Sequence, residues 1–133
     1  MTPSPKHLPT SLLLLRLGIF LVFLMWTLDK FVQPEHASQV FAYFYGLSGL
    51  AQTTLYVIGA LQMVLIALFV AGAYKTLTYG AITAFHAVST FTSFPQYLRP
   101  FDNLLYFAAW PMLAACVALF LLREHDTLTL LRR

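Results

Sequence analysis

The chain has 133 residues, 59% of them hydrophobic and only 10% charged, with a mean hydropathy of +0.74 and a formal net charge of +3. A soluble domain carries about 25% charged residues, so this composition excludes an ordinary soluble catalytic domain and points to one integral membrane domain. The mild basic balance is what loop lysines and arginines give a membrane protein and makes no nucleic-acid face; the single cysteine, Cys116, excludes an intramolecular disulfide and a CxxC dithiol.

Residues 1–10 are polar and rich in proline, and are expected to form a flexible cytoplasmic tail. The apolar run 11–28 follows. It is long for the core of a signal peptide, contains Arg16 and ends without a small-residue cleavage site, so it is read as a retained first span. Arg16 lies about one and a half turns inside it and is expected to snorkel to the inner headgroups. A salt bridge or lipid-phosphate contact inside the bundle is the sharper alternative, with Glu124 and Asp126 as partners.

The connection 31–51 is the longest. Pro34 suits a first helical turn, and Ala37, Val40, Phe41, Phe44 and Leu47 then fall on one helical face. This predicts a short amphipathic helix on the outer membrane surface, ended by Gly46 and Gly49; an extension of the second span is the alternative. Further spans are predicted over 52–73, 76–94 and 102–122. A tight turn at Tyr74, Lys75 and Thr76 makes the second and third an antiparallel hairpin. Pro95 and Pro100 bracket the next turn, and Pro111 predicts a kink within the fourth span. Residues 124–133 form a second cytoplasmic tail. Lys6, Arg16, Lys75, Arg123, Arg132 and Arg133 then lie inside, against Lys30 and Arg99 outside. The positive-inside rule thus puts both termini in the cytoplasm, and a bacterial inner membrane is the expected compartment.

Ionisable groups within a bilayer are costly and tend to face the bundle interior. In the third span, Thr83, His86, Thr90 and Ser93, with Ser89 beside them, form a polar stripe. Gln62 on the second span lies at the depth of His86. The stripe fits an interhelical hydrogen bond that fixes register, and it equally fits a proton-handling or quinone-contacting histidine. A second cluster gathers at the outer end: Trp26, Asp29 and Lys30 close the first span, while Arg99, Asp102 and Asn103 open the fourth. With Ser93 and Gln96 these would line a shallow ligand pocket. The plainer account makes Trp26, Lys30 and Arg99 interfacial anchors, with Asp29 and Asp102 in a surface charge network. The spacing of His86 and the other three histidines offers no metal site, and haem ligation is not expected.

The first span and its exit, LLRLGIFLVFLMWTLDKFVQPEH, resemble the DoxX-like membrane proteins, through Arg16, Trp26, Lys30 and Phe31. The start of the fourth span, FDNLLYFAAWPMLAACVALFLL, with Asn103 at its head, fits the same family, and the resemblance runs over about residues 11–123. The small-residue motif usual near the end of the first helix is replaced here by Thr27, Leu28 and Asp29. The resemblance implies a four-helix membrane subunit linked to redox or quinone chemistry; the paired cysteines of thiol-handling relatives are missing. The expected fold is therefore an all-α, integral membrane, antiparallel four-helix bundle with a short extracytoplasmic amphipathic helix between spans one and two. The expected role is an accessory or anchoring subunit of a membrane redox system, with quinone as a candidate cofactor, and the bilayer, redox proteins and a second copy of the chain as candidate partners. Gly59 and Gly80 would support close packing in such a dimer. A non-catalytic assembly or lipid-binding protein is the alternative, and a small-solute transporter a weaker one. The chain is not expected to be a complete enzyme on its own.

Overall fold

Pro9 sits in the first turn of helix α1, Leu8–Val32, where its missing N–H leaves no intrahelical bond unmade. The computed structural model describes residues 5–49 and 51–130; it is 80% helical, with no strand among the described residues. After Gln33 the chain enters α2, Pro34–Tyr45, again with a proline in the first turn. Gly46 ends α2 in the left-handed conformation, at φ 70°. The residues beyond it leave the helix, so Leu47 falls outside the amphipathic face expected for it and is exposed.

Helix α3, Gln52–Ala71, ends at Gly72, whose φ of 76° lets the Gly72 and Ala73 N–H groups turn back to the Phe69 and Leu68 carbonyls. Two residues later α4 begins, Lys75–Thr92. A short helix α5, Phe94–Tyr97, and a loop lead to a 3-10 turn, Leu104–Ala108, that runs directly into α6, Ala109–Leu121. The kink expected at Pro111 takes another form. The span is divided into a tight 3-10 segment and an α-helix, and Pro111 occupies the first turn of the latter, where a proline is tolerated. A second 3-10 turn, Arg123–His125, follows α6.

Helix α1 packs against α3 and α6, and α4 packs against the same two helices. The three-residue connection 72–74 turns α4 back against α3. Leu12, Ile19 and Phe23 of α1, Ile66 and Phe69 of α3, Tyr79 and Ile82 of α4, and Cys116 and Leu119 of α6 form one buried cluster. Helix α2 lies across one end, with Ala37 buried against its neighbours α1, α3 and α4. Gly59 and Gly80 serve this packing within the chain: a Cβ on Gly59 would meet the Phe31 ring at 2.8 Å, and one on Gly80 would touch Phe120 at 3.4 Å.

Apolar side chains cover the outside as well as the core. Leu14, Leu21 and Met25 of α1, Leu61 and Val64 of α3, Val88 and Phe91 of α4, and Leu121 of α6 are all more than half exposed. Three helical stretches are long and apolar enough to cross a membrane: Leu8–Val32, Gln52–Ala71 and Leu104–Leu121. The predicted third span corresponds to α4, which is not among them; Lys75, His86 and its threonines and serines lower its apolar character.

Candidate functional site

Side chains from α1 and α4 meet across the interior although the two helices are not backbone neighbours. His86 is 1% exposed. Its Nε2 lies 2.9 Å from the Ala109 carbonyl at the start of α6. A carbonyl only accepts, so Nε2 carries the proton and Nδ1 holds a lone pair. That Nδ1 is buried and has no hydrogen-bond partner. The Trp26 ring stacks on the imidazole at 6.1 Å between centroids, and Phe23 meets it edge-on at 6.4 Å. Trp26 is 46% exposed, so the indole separates the histidine from the surroundings of the bundle.

The rest of the stripe is largely satisfied within α4. Thr83 donates to the Tyr79 carbonyl, Thr90 to that of His86, and Ser93 to that of Ser89, each four residues back. Thr83 also reaches the Cys116 carbonyl at 3.2 Å, a crosslink to α6. Ser89 shares a hydrogen bond with the Tyr45 hydroxyl of α2. Tyr97 donates to the Thr90 carbonyl, and burial pushes its phenol above the ordinary tyrosine range. Gln62 does not join His86: its Oε1 is buried and has no hydrogen-bond partner.

At the other end of the same helices Arg16 and Asp126 form a buried ion pair, Nη1 to Oδ2 at 2.6 Å, with residue exposures of 2% and 0%. This corrects the expectation that Arg16 snorkels outward. The segment after α6 folds back beneath the helices and brings its carboxylate to the guanidinium, the ion pair with Asp126 that was the alternative expectation. The Tyr79 hydroxyl donates to the same carboxylate oxygen, Arg16 Nη2 donates to the Leu128 carbonyl, and Lys75 Nζ to the Asp126 carbonyl. Sequence reasoning missed Tyr79, yet the signal was present: 79, 83, 86, 90 and 93 step by four and three along one face of α4.

The predicted outer cluster divides in two. Asp29 pairs with His36, Oδ2 to Nδ1 at 2.7 Å, and not with Lys30. Lys30 is buried, lies 5.6 Å above the Phe41 ring centroid and reaches the Trp26 carbonyl at 3.4 Å. Arg99, Asp102 and Asn103 instead line a separate cleft of about 400 Å³ with Tyr43, Pro95 and Gln96. Ser93 is not among its lining residues, and Trp26 is drawn away to His86. Helix α2 takes part in both places, Phe41 covering Lys30 and Tyr43 lining the cleft.

Comparison with known proteins finds no matching family model, no matching curated protein and no matching solved structure. At His86 a buried imidazole lone pair lies beside an aromatic plane, an acceptor without a donor. The Arg16 cluster is closed by its own carboxylate. The Arg99 cleft is open and holds both signs of charge.

Proposed function

We propose that this chain is an integral membrane protein, an antiparallel four-helix bundle capped by α2, and that it serves as an accessory or anchoring subunit of a membrane redox system with a quinone contact at His86. The membrane assignment is supported by the apolar side chains exposed around all four long helices, more than a monomeric soluble protein leaves uncovered. In that reading α4, the most polar of the four, is tolerated in the bilayer because His86 and Thr90 turn inward. The basic residues favour both termini in the cytoplasm of a bacterial inner membrane, with α2 outside. The redox link rests on the resemblance to DoxX-like proteins.

One observation carries the quinone contact: the unpartnered Nδ1 of a buried imidazole whose other nitrogen is held by the Ala109 carbonyl. A hydroquinone hydroxyl would supply the missing donor, and a ligand arriving through the lipid would meet the half-exposed Trp26 plane first. The test is mass spectrometry of small molecules and proteins copurified with the chain in native lipid. Stoichiometric quinone or a recurring redox protein is expected, with quinone lost from His86→Ala. Bulk lipid alone, with no partner, overturns the reading.

The second reading is a non-catalytic assembly or lipid-binding protein. It is favoured by the α4 hydroxyls, which bond back to their own helix and offer little to a ligand. Under it, His86→Ala lowers stability and changes no bound molecule.

A further inference from the structure

The cleft between α2 and the loop after α5 contains an arrangement that neither reading above uses. Arg99 and Asp102 line one cavity of about 400 Å³, yet the salt bridges among the described residues, Arg16–Asp126 and Asp29–His36, do not include them. Their backbone is nevertheless fixed. The Arg99 carbonyl accepts from the Asp102 N–H at 3.2 Å and from Asn103 Nδ2 at 3.1 Å. Opposite charges are thus held in one cleft without neutralising each other.

Gln96 ties the lining of the cleft to α2. Gln96 is 8% exposed; its Nε2 donates to the Tyr43 hydroxyl at 2.9 Å, while its Oε1 is buried without a partner. The Tyr43 hydroxyl, having accepted that bond, still has its own proton to give. The cleft therefore offers donors from Arg99 and Tyr43 to an anion, and the Asp102 carboxylate to a cation.

The surroundings indicate where such a ligand comes from. Leu98, Phe101, Leu104 and Leu105 flank the charged residues in sequence and are all more than half exposed, Phe101 at 87% and Leu105 at 90%. A loop that alternates charge with uncovered large apolar side chains suits the boundary between headgroups and acyl chains. We propose that this cleft binds the headgroup of a zwitterionic phospholipid bearing a primary ammonium, of the phosphoethanolamine class. The phosphate meets Arg99 and Tyr43, the ammonium meets Asp102, and the acyl chains lie along Phe101 and Leu105. A quaternary ammonium has no N–H to give Asp102, and an uncharged glycerol headgroup leaves the carboxylate unmatched. The primary ammonium is therefore preferred over both.

This inference rests on the membrane reading and is independent of the quinone contact. The full chain is first shown to stay with membranes under alkaline carbonate; release there overturns the membrane reading and this proposal together. The chain is then stripped of lipid in detergent and titrated, by native mass spectrometry, with phosphatidylethanolamine, phosphatidylcholine and phosphatidylglycerol of identical acyl chains. Wild type is expected to bind the ethanolamine lipid about tenfold more tightly than the other two. Asp102→Asn is expected to erase that preference while still binding phospholipid, Asp102→Glu to restore it, and Arg99→Gln to weaken all three lipids alike. Equal affinities in wild type, or a preference that survives Asp102→Asn, overturns the proposal with the membrane reading intact. Displacement by soluble glycerophosphoethanolamine at concentrations comparable to the lipid overturns the lipid as the source of the headgroup.

Discussion

The two ends of the helices treat an arginine and an aspartate in opposite ways. At one end Arg16 and Asp126 are 2.6 Å apart, sealed from solvent and joined by Tyr79. At the other, Arg99 and Asp102 are exposed, unpaired and fixed through their backbone across an open cleft. The difference lies in what surrounds them. Arg16 comes from within a helix and cannot leave, so the chain must bring a counter-charge to it, and residues after α6 turn back to do so. Arg99 belongs to a surface loop that water or a headgroup can reach, so nothing in the fold obliges its neutralisation. A sealed pair of this kind serves architecture; an unpaired one at a rim is available to a ligand.

The largest expected effect tests the sealed end. Asp126→Asn leaves the Arg16 charge buried without its partner, and a loss of about 3–5 kcal/mol is expected, measured by denaturant unfolding in mild detergent. Replacing both groups, with Arg16→Met and Asp126→Leu together, is expected to recover most of that loss, because the penalty comes from the orphaned charge and not from the absence of attraction. If the double variant is as unstable as the single one, the cluster is held by packing and the contrast between the ends is wrong.

A smaller effect tests how the returning segment is seated. Gly72 and Gly46 both cap helices at positive φ. A Cβ on Gly72 would lie 2.2 Å from Thr129 Cγ2, whereas one on Gly46 would meet nothing within 4 Å. Gly46→Ala should therefore cost only the left-handed strain, about 1–2 kcal/mol. Gly72→Ala should cost that and more, and should loosen the segment that carries Asp126, seen as faster hydrogen exchange at Leu130, whose N–H is held by the Ala71 carbonyl at 3.0 Å. Equal costs at the two glycines would mean that Thr129 simply moves aside.

Helical layout was legible in the sequence because it depends on long apolar runs and on punctuation by proline and glycine. Pro34, Gly46 and the short turn at Tyr74 stand where expected. Partners at a distance were less legible. Arg16 had two acidic candidates two residues apart, and only the path of the chain after α6 selects Asp126 over Glu124. The stripe on α4 was visible, but its use was not: a threonine that bonds its own helix has the same sequence signature as one that reaches a ligand. The outer cluster failed as a single site for a geometric reason. Trp26 and Asp29 share a helix face but sit about one turn apart along the axis: the Trp26 ring stacks on His86, while Asp29 pairs with His36 at the start of α2.

The smallest expected effect is the one that sharpens the contrast most. Asp102→Asn removes a charge with no ion-pair partner and keeps the side chain's shape, so unfolding in lipid-free detergent should change by no more than about 0.5 kcal/mol. The same class of substitution at Asp126 is expected to cost several times as much. The comparison is strict, because both variants exchange a carboxylate for an amide and differ only in burial and partners. If Asp102→Asn proves as destabilising as Asp126→Asn, the carboxylate is part of the scaffold and the cleft is not a free site. If it is silent in stability, any change it produces in lipid preference belongs to recognition, since the architecture has been left as it was.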